Sequence, residues 1–431
     1  MIKIAIVCEA FTRTMSGGRA AYALAEGLKS LGAHVEVWLT HNSTGRDGSA
    51  DAEFGTISVN EDDATAHMFR KAAVSRMFPV SVRQGFRVLL ATERMCILFT
   101  KKSSYGKLLE RFRPDLVHFA SFNFTKPAWM IDDALEAGAK VLLQPWVMRF
   151  ACHQGFAYRD GKECLECFAG TFRNAIKRKC CGWMSGLIAG QVRANLRNSS
   201  RNASWFLSSN SDMDHKLALY GVAEEKILHL PLPFESNGLE NMVARDDGYF
   251  IYHGQVTDYK GVHVIKRLLD SNTNVRIFIC PPFGQETLLQ NFGITEGDHP
   301  NLRIIRGVNW SNGLEQYLAN SRGVLLPTLW PTTVEYALLE SLALGKPTIA
   351  FAIGAHKDYL LDRSNAMVAD PQDIDGYCQR VAEINSNAEL RSTVSSGAKE
   401  TYNRYWSKEN WRTSLAACYS MAGVSFPNSR V

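Results

Sequence analysis

The stretch GVLLPTLWPTTVEYALLESLALGKPTIAF, from Gly323 to Phe351, decides the fold. Its ends, Gly323 to Leu326 and Pro347 to Phe351, are short apolar runs of strand length, and a loop rich in proline and threonine leads from the first into a helical pattern. Two buried strands joined by a helix form the βαβ unit of a parallel sheet, whose strands read as continuous apolar runs because both faces are covered. The helix begins just past the carboxyl end of the first strand, where ligands settle in open α/β sheets.

Working outward, Tyr249 to His253, Val275 to Cys280 and Leu302 to Arg306 are further strand candidates, giving a doubly wound sheet in the second half of the chain. The first half shows the same alternation. Ile2 to Val7 is followed by an apolar stripe of Ala20, Leu24, Leu28 and Leu31, then Val35 to Leu39, a βαβ opening; Asp115 to Phe119, Lys140 to Gln144 and Phe206 to Asn210 extend it. Between the halves, His229-Leu230-Pro231-Leu232-Pro233-Phe234 holds two prolines, which neither continue a helix nor sit in a central strand, so a connection is expected there. A chain of 431 residues suits two separate cores. The expected α/β architecture is two Rossmann-like domains, 1–230 and 238–405. From Asp373 to about Met421 the pattern is helical and late in it come Tyr405, Trp406 and Trp411; residues 406–431 are expected to pack back on the first domain.

Composition narrows the class. Hydrophobic residues are 46% and charged residues 21%, which excludes disorder and an all-helical membrane protein. No apolar run approaches the roughly 20 residues of a spanning helix; Val88 to Thr100 is broken by Glu93 and Arg94. Met1 to Val7 runs straight into a strand without a basic and then apolar leader, so a cytoplasmic location is expected. The net charge is only +5, yet Phe69 to Arg113 carries eleven Lys or Arg against Glu93 and Glu110. Basic residues interleaved with apolar ones suit either an anionic membrane surface, which places the protein peripherally on the inner face of the cytoplasmic membrane, or a solvated helical face. No nucleic-acid motif accompanies them, and nucleic acid is not expected as a partner.

Three motifs lie where each sheet's strands end. Ser16-Gly17-Gly18 stands between the first strand and first helix, either as a tight turn or as an approach to an anion at the helix N-terminus. Gly254-Gln255 through Lys260-Gly261 follows the first strand of the second domain, and a lysine there can balance a departing pyrophosphate. The block Pro327 to Pro347 puts Thr332, Thr333 and Val334 at the approach to a helix bearing Glu335 and Glu340, where a carboxylate can grip ribose hydroxyls while helix N–H groups face phosphate.

Together with Phe206 to Ser211, Tyr220-Gly221-Val222, Gly354 to Asp358 and Asp370-Pro371, these motifs resemble the family 4 glycosyltransferases of the GT-B fold over nearly the whole chain. The resemblance implies two doubly wound domains facing each other across a cleft, and a retaining transfer of a sugar from a UDP- or GDP-linked donor to a glycan or lipid-linked acceptor in cell-surface polysaccharide biosynthesis. No cofactor is implied for catalysis. It also implies that Lys260 contacts the donor diphosphate, that Glu340 holds the ribose, and that Gly17, Gly18, Gly254, Gln255, Thr332, Thr333 and Val334 border the donor. The chain departs from the pattern at three places. Gln255 stands for the usual arginine, Thr332 for the usual glutamate eight positions before Glu340, with Glu335 the nearby carboxylate, and Gln144-Pro145 for the usual His-Asp. His118 and His153 are the remaining acceptor-side candidates. Two rival functions go with the same fold, a catalytically silent protein binding a nucleotide sugar or glycan and a nucleotide-sugar epimerase.

Cys152, Cys164, Cys167 and Cys180, followed by Cys181, cluster within the insertion 152–181. Their readings are a structural zinc site, a reversible disulfide, or unliganded thiols.

Overall fold

The computed structural model describes residues 1–13, 16–40, 57–58, 104–123, 128–170, 173–271 and 274–426. The first half forms β1 (Lys3–Cys8), β2 (His34–Leu39), β3 (Ile57–Ser58), β4 (Leu116–Ala120), β5 (Lys140–Gln144), the small hairpin β6 (Tyr158–Arg159) and β7 (Lys162–Glu163), β8 (Trp205–Ser208) and β9 (Ile227–His229). The second half forms β10 (Tyr249–His253), β11 (Arg276–Cys280), β12 (Leu302–Ile304), β13 (Gly323–Leu326), β14 (Thr348–Phe351) and β15 (Met367–Ala369).

Seven strands make the first sheet in the order β3-β2-β1-β4-β5-β8-β9, and six the second, β12-β11-β10-β13-β14-β15. Their pairings are parallel throughout. In each sheet the chain reverses its direction of build beside the first strand: β1 lies between β2 and β4, and β10 between β11 and β13. A crevice opens where the order switches, beyond the carboxyl ends of these strands. The loop before the helix Ser16–Ser30 leaves β1 there, and the loop bearing Lys260 leaves β10 there.

The C-terminal helices cross back to the first domain. In the helix Lys408–Met421, Trp411 and Leu415 press on Gly27, where a Cβ would lie 2.5 Å from the Trp411 ring. Only glycine permits this approach. Trp406 Nε1 donates to Leu232 O at 3.1 Å and Trp411 Nε1 to Pro231 O at 3.1 Å, tying the returning chain to the outgoing connection. A continuous apolar cluster follows, running from Ile6 and Leu28 through Leu230 and Leu232 to Leu342, Trp406 and Leu415. Among the described residues, no helix is long and apolar enough to cross a membrane. The basic stretch 69–113 lies outside the described residues except for its last part, the helix Ser104–Phe112 and Arg113.

Candidate active site

A cleft of about 540 Å³ lies between the two sheets' carboxyl edges, lined from the first domain by Gly17, Arg19, Trp146 and Phe156 and from the second by Gly254, Gln255, Lys260, Thr332, Glu335 and Glu340. A larger hollow, of about 1270 Å³, sits at the opposite edge of the first sheet beside Pro114, Asp115 and Lys140. Ligands of open parallel sheets bind at carboxyl edges, so the cleft is the candidate site.

Lys260 is placed by a turn. Asp258–Lys260 forms one short 3-10 turn that ends on Gly261 at φ +74, and a Cβ on Gly261 would lie 1.9 Å from Pro327 O. The lysine loop therefore rests directly on the loop leaving β13, with Leu329 N donating to Tyr259 O at 2.9 Å. This seat brings Lys260 Nζ to 5.5 Å from the centre of the Trp330 ring and into an ion pair with Glu335. Glu335 is buried just ahead of the helix Tyr336–Leu344, where the helix dipole favours negative charge. Its Oε1 accepts from Thr328 Oγ1 at 2.7 Å, and His356 Nε2 stands 3.6 Å from Oε2. Burial alone raises this carboxyl, but Lys260, with His356 behind it, overrides burial and holds it well below the ordinary carboxylate range. Lys260 and Glu335 are thus a built cation and anion inside one domain.

Glu340 is answered from the other side. Arg19 Nη1, in the first turn of Ser16–Ser30, donates to Glu340 Oε1 at 2.6 Å, with both side chains at least nine-tenths buried. The guanidinium lies 4.5 Å from the centre of the Tyr336 ring and 5.3 Å from that of Trp310. Burial pushes the Glu340 carboxyl up to about 7, with Arg19 opposing. Nothing in the sequence motifs singles out Arg19, although a cation immediately after Gly17-Gly18 in the first helical turn is a signal that could have found it.

Residues 240–401 match a family model described as glycosyl transferases group 1. A search of curated proteins by sequence finds no match. Solved structures do match in shape. The Anabaena protein HepE in complex with UDP and glucose superposes with a TM-score of 0.61 at 12% identity, over 97% of this chain and all of its own. A glycosyltransferase from Rickettsia africae gives a TM-score of 0.65 at 14% identity over 99% of both chains. The lipopolysaccharide outer core galactosyltransferase WaaB, in its apo form, gives 0.63 at 12% identity over 97% of this chain and 99% of its own. The fold is GT-B.

The GT-B cleft gathers some sequence candidates and leaves others out. Gly17, Gly254, Gln255, Lys260, Thr332, Thr333, Val334, Glu335 and Glu340 all line it. Thr333 also joins the domains: its Oγ1 donates to Trp146 O at 2.7 Å and its carbonyl accepts from Asn210 Nδ2 at 2.6 Å. Gln255 is spent on its own loop, its Oε1 accepting from Tyr259 Oη at 2.9 Å. Gly18 is not among the residues lining the cleft, and a Cβ there would lie 2.3 Å from Thr12 Cγ2, which leaves room for glycine alone.

Neither histidine reaches the GT-B cleft. His118 is fully buried under the C-terminal helix, with Nδ1 2.6 Å from Tyr419 Oη, and burial lowers its pKa to about 3 although Gln144 lies beside it. His153 borders the cysteine cavity instead, and burial with nearby Arg149 lowers it too. Cys152, Cys164, Cys167 and Cys180 line that one cavity, of about 370 Å³, as free thiols. Burial pushes Cys167 up to about 11, with neighbouring thiols adding to the rise and Arg193 opposing it. Arg159 Nη1 points at Cys180 Sγ from 3.3 Å. Among the described residues no three His, Cys, Asp or Glu side chains are placed to hold a metal ion. The insertion meets the site through Phe156, whose ring stacks on Tyr259 at 4.3 Å and meets Trp330 edge-on at 5.3 Å. Sequence reading missed this aromatic contact, because neither ring carries a motif of its own.

Proposed function

We propose that this protein is a retaining glycosyltransferase that moves a sugar from a UDP- or GDP-linked donor to a glycan or lipid-linked glycan in cell-surface polysaccharide biosynthesis. The observation that carries the reading is that Lys260 and Glu340 border one cleft at the carboxyl edge of the second sheet, inside the span matching glycosyl transferases group 1. In this reading Lys260 faces the diphosphate, Glu340 holds the ribose, and Glu335 holds Lys260 in place. Charge developing on the leaving diphosphate is met by a cation already in place, without reorganisation. No side chain acts as a strong nucleophile. The departing diphosphate takes part in deprotonating the acceptor hydroxyl on the same face of the sugar, and the two walls exclude water.

The likeness to HepE bound to UDP and glucose, and to an outer core galactosyltransferase, supports a nucleotide-sugar donor and a glycan acceptor. The basic stretch 69–113 supports work at the inner face of the cytoplasmic membrane, next to a lipid-linked acceptor. The test is to titrate the protein with a panel of UDP- and GDP-sugars and to follow release of nucleoside diphosphate with and without lipid-linked glycan. Release that depends on acceptor supports transfer. Binding without any release would replace it with a silent binding protein, and interconversion of one donor sugar into another with an epimerase.

A further inference from the structure

We propose that Arg19 is the second cation of the diphosphate site, held by Glu340 while the cleft is empty and released to the donor when it fills. This rests on the reading of the cleft as a nucleoside diphosphate site and adds a residue from the opposite domain. The first support is charge. Among the described residues, the Lys and Arg lining the cleft are Arg19 and Lys260 and the Asp and Glu are Glu335 and Glu340, so neither cation is left without a carboxylate before anything binds. His253 adds no charge, since burial outweighs Glu335 and lowers its pKa to about 4. A nucleoside diphosphate brings at least two further negative charges into a space walled by Trp146, Trp310, Trp330 and Tyr336. Uncompensated charge in such surroundings is costly, so a cation already in the cleft must change partners.

Geometry selects Arg19. Lys260 pairs with Glu335, which Thr328 Oγ1 also holds at 2.7 Å and beside which His356 Nε2 stands at 3.6 Å, all within the second domain. Among the described residues Glu340 pairs with Arg19 alone, and it is the carboxylate assigned to the ribose. When ribose hydroxyls take Glu340, they replace the guanidinium. Arg19 then keeps five N–H donors in a planar fork, the geometry that bridges two phosphate oxygens. Its base is a helical turn rather than a free loop, so the group moves by side-chain rotation alone. The exchange satisfies both ends at once, Glu340 by the sugar and Arg19 by the phosphates.

The test uses the full-length protein and three ligands, namely inorganic pyrophosphate, UDP with GDP, and the parent nucleosides uridine and guanosine. Arg19→Gln is expected to weaken the nucleoside diphosphate that the wild type binds by about tenfold or more, the scale of one charge-assisted hydrogen bond, while leaving the nucleoside within about twofold. Glu340→Gln frees Arg19 and is expected to bind pyrophosphate severalfold more tightly than wild type. The double variant Arg19→Gln/Glu340→Gln loses that gain. Because Arg19→Gln leaves a buried carboxylate unpaired, Arg19→Lys and the double variant serve as its folded counterparts, and Arg19→Lys is expected to fall between wild type and Arg19→Gln. Unchanged diphosphate binding in Arg19→Lys and the double variant, with no pyrophosphate gain in Glu340→Gln, overturns the role of Arg19 alone. Failure of the wild type to bind UDP or GDP overturns the site assignment together with it.

Discussion

The two ion pairs of the cleft differ in what holds them. Lys260–Glu335 lies wholly within the second domain and is seated by a turn, a neighbouring loop, Thr328 and His356. Arg19–Glu340 joins one domain to the other. Separating the domains leaves the first pair intact and strips the second. A permanent cation and an exchangeable one therefore face the same space, and experiments that disturb each in turn show whether the distinction is real.

The largest effect is expected at the permanent pair. Lys260→Ala should lower transfer by about 10²–10³-fold, the scale of losing one preorganised charge at a developing anion. Lys260→Arg checks that the loss is not one of folding, and near-normal donor cleavage by Lys260→Ala would show that this cation does not serve the reaction. Next comes the seat of that pair. Gly261→Ala forces a side chain into a φ of +74 and against Pro327 O, so denaturant unfolding should show a loss of about 2–4 kcal/mol. Equal stability would mean that the turn does not fix the lysine.

The exchangeable pair is probed by pH. The folded carboxyl of Glu340 sits at about 7, above its ordinary value, so between roughly pH 4.5 and 7 the native state binds more protons than the unfolded one. Stability then falls as pH rises through that window, with a slope of at most about 1.4 kcal/mol per pH unit from this group. Glu340→Gln should remove that share of the slope, and an unchanged pH profile would place the ionisation elsewhere. The smallest change is expected at Phe156. Phe156→Ala removes the Tyr259 stack and the Trp330 edge contact, worth about 0.5–1.5 kcal/mol, and should raise KM severalfold with kcat nearly kept. A kcat loss matching that of Lys260→Ala would make the aromatic contact part of the charged machinery.

The same contrast explains what the sequence disclosed. Lys140–Gln144, Tyr249–His253 and Gly323–Leu326 read directly as strands, because central parallel strands are continuous apolar runs between helical stretches. Met367–Ala369, Ile57–Ser58 and Ile227–His229 are not legible as strands. Each is an edge strand of two or three residues that leaves little periodicity. In the site, Glu335 and Glu340 stood out because one loop and helix carry them. Arg19, Trp146 and Phe156 come from separate segments and converge only on folding. His118 misled because a histidine near a strand end looks the same whether its neighbours are solvent or, as here, a helix arriving from 301 residues away.

The tryptophans of the returning chain have a mechanical consequence. The polypeptide passes between the domains twice, and Trp406 and Trp411 bind the second passage to Leu232 and Pro231 of the first. Two strands of chain clamped side by side make one narrow pivot. Sliding or shearing of the domains would tear these bonds, whereas swinging about the pivot spares them, and Leu232 brings that pivot to the wall of the cleft itself.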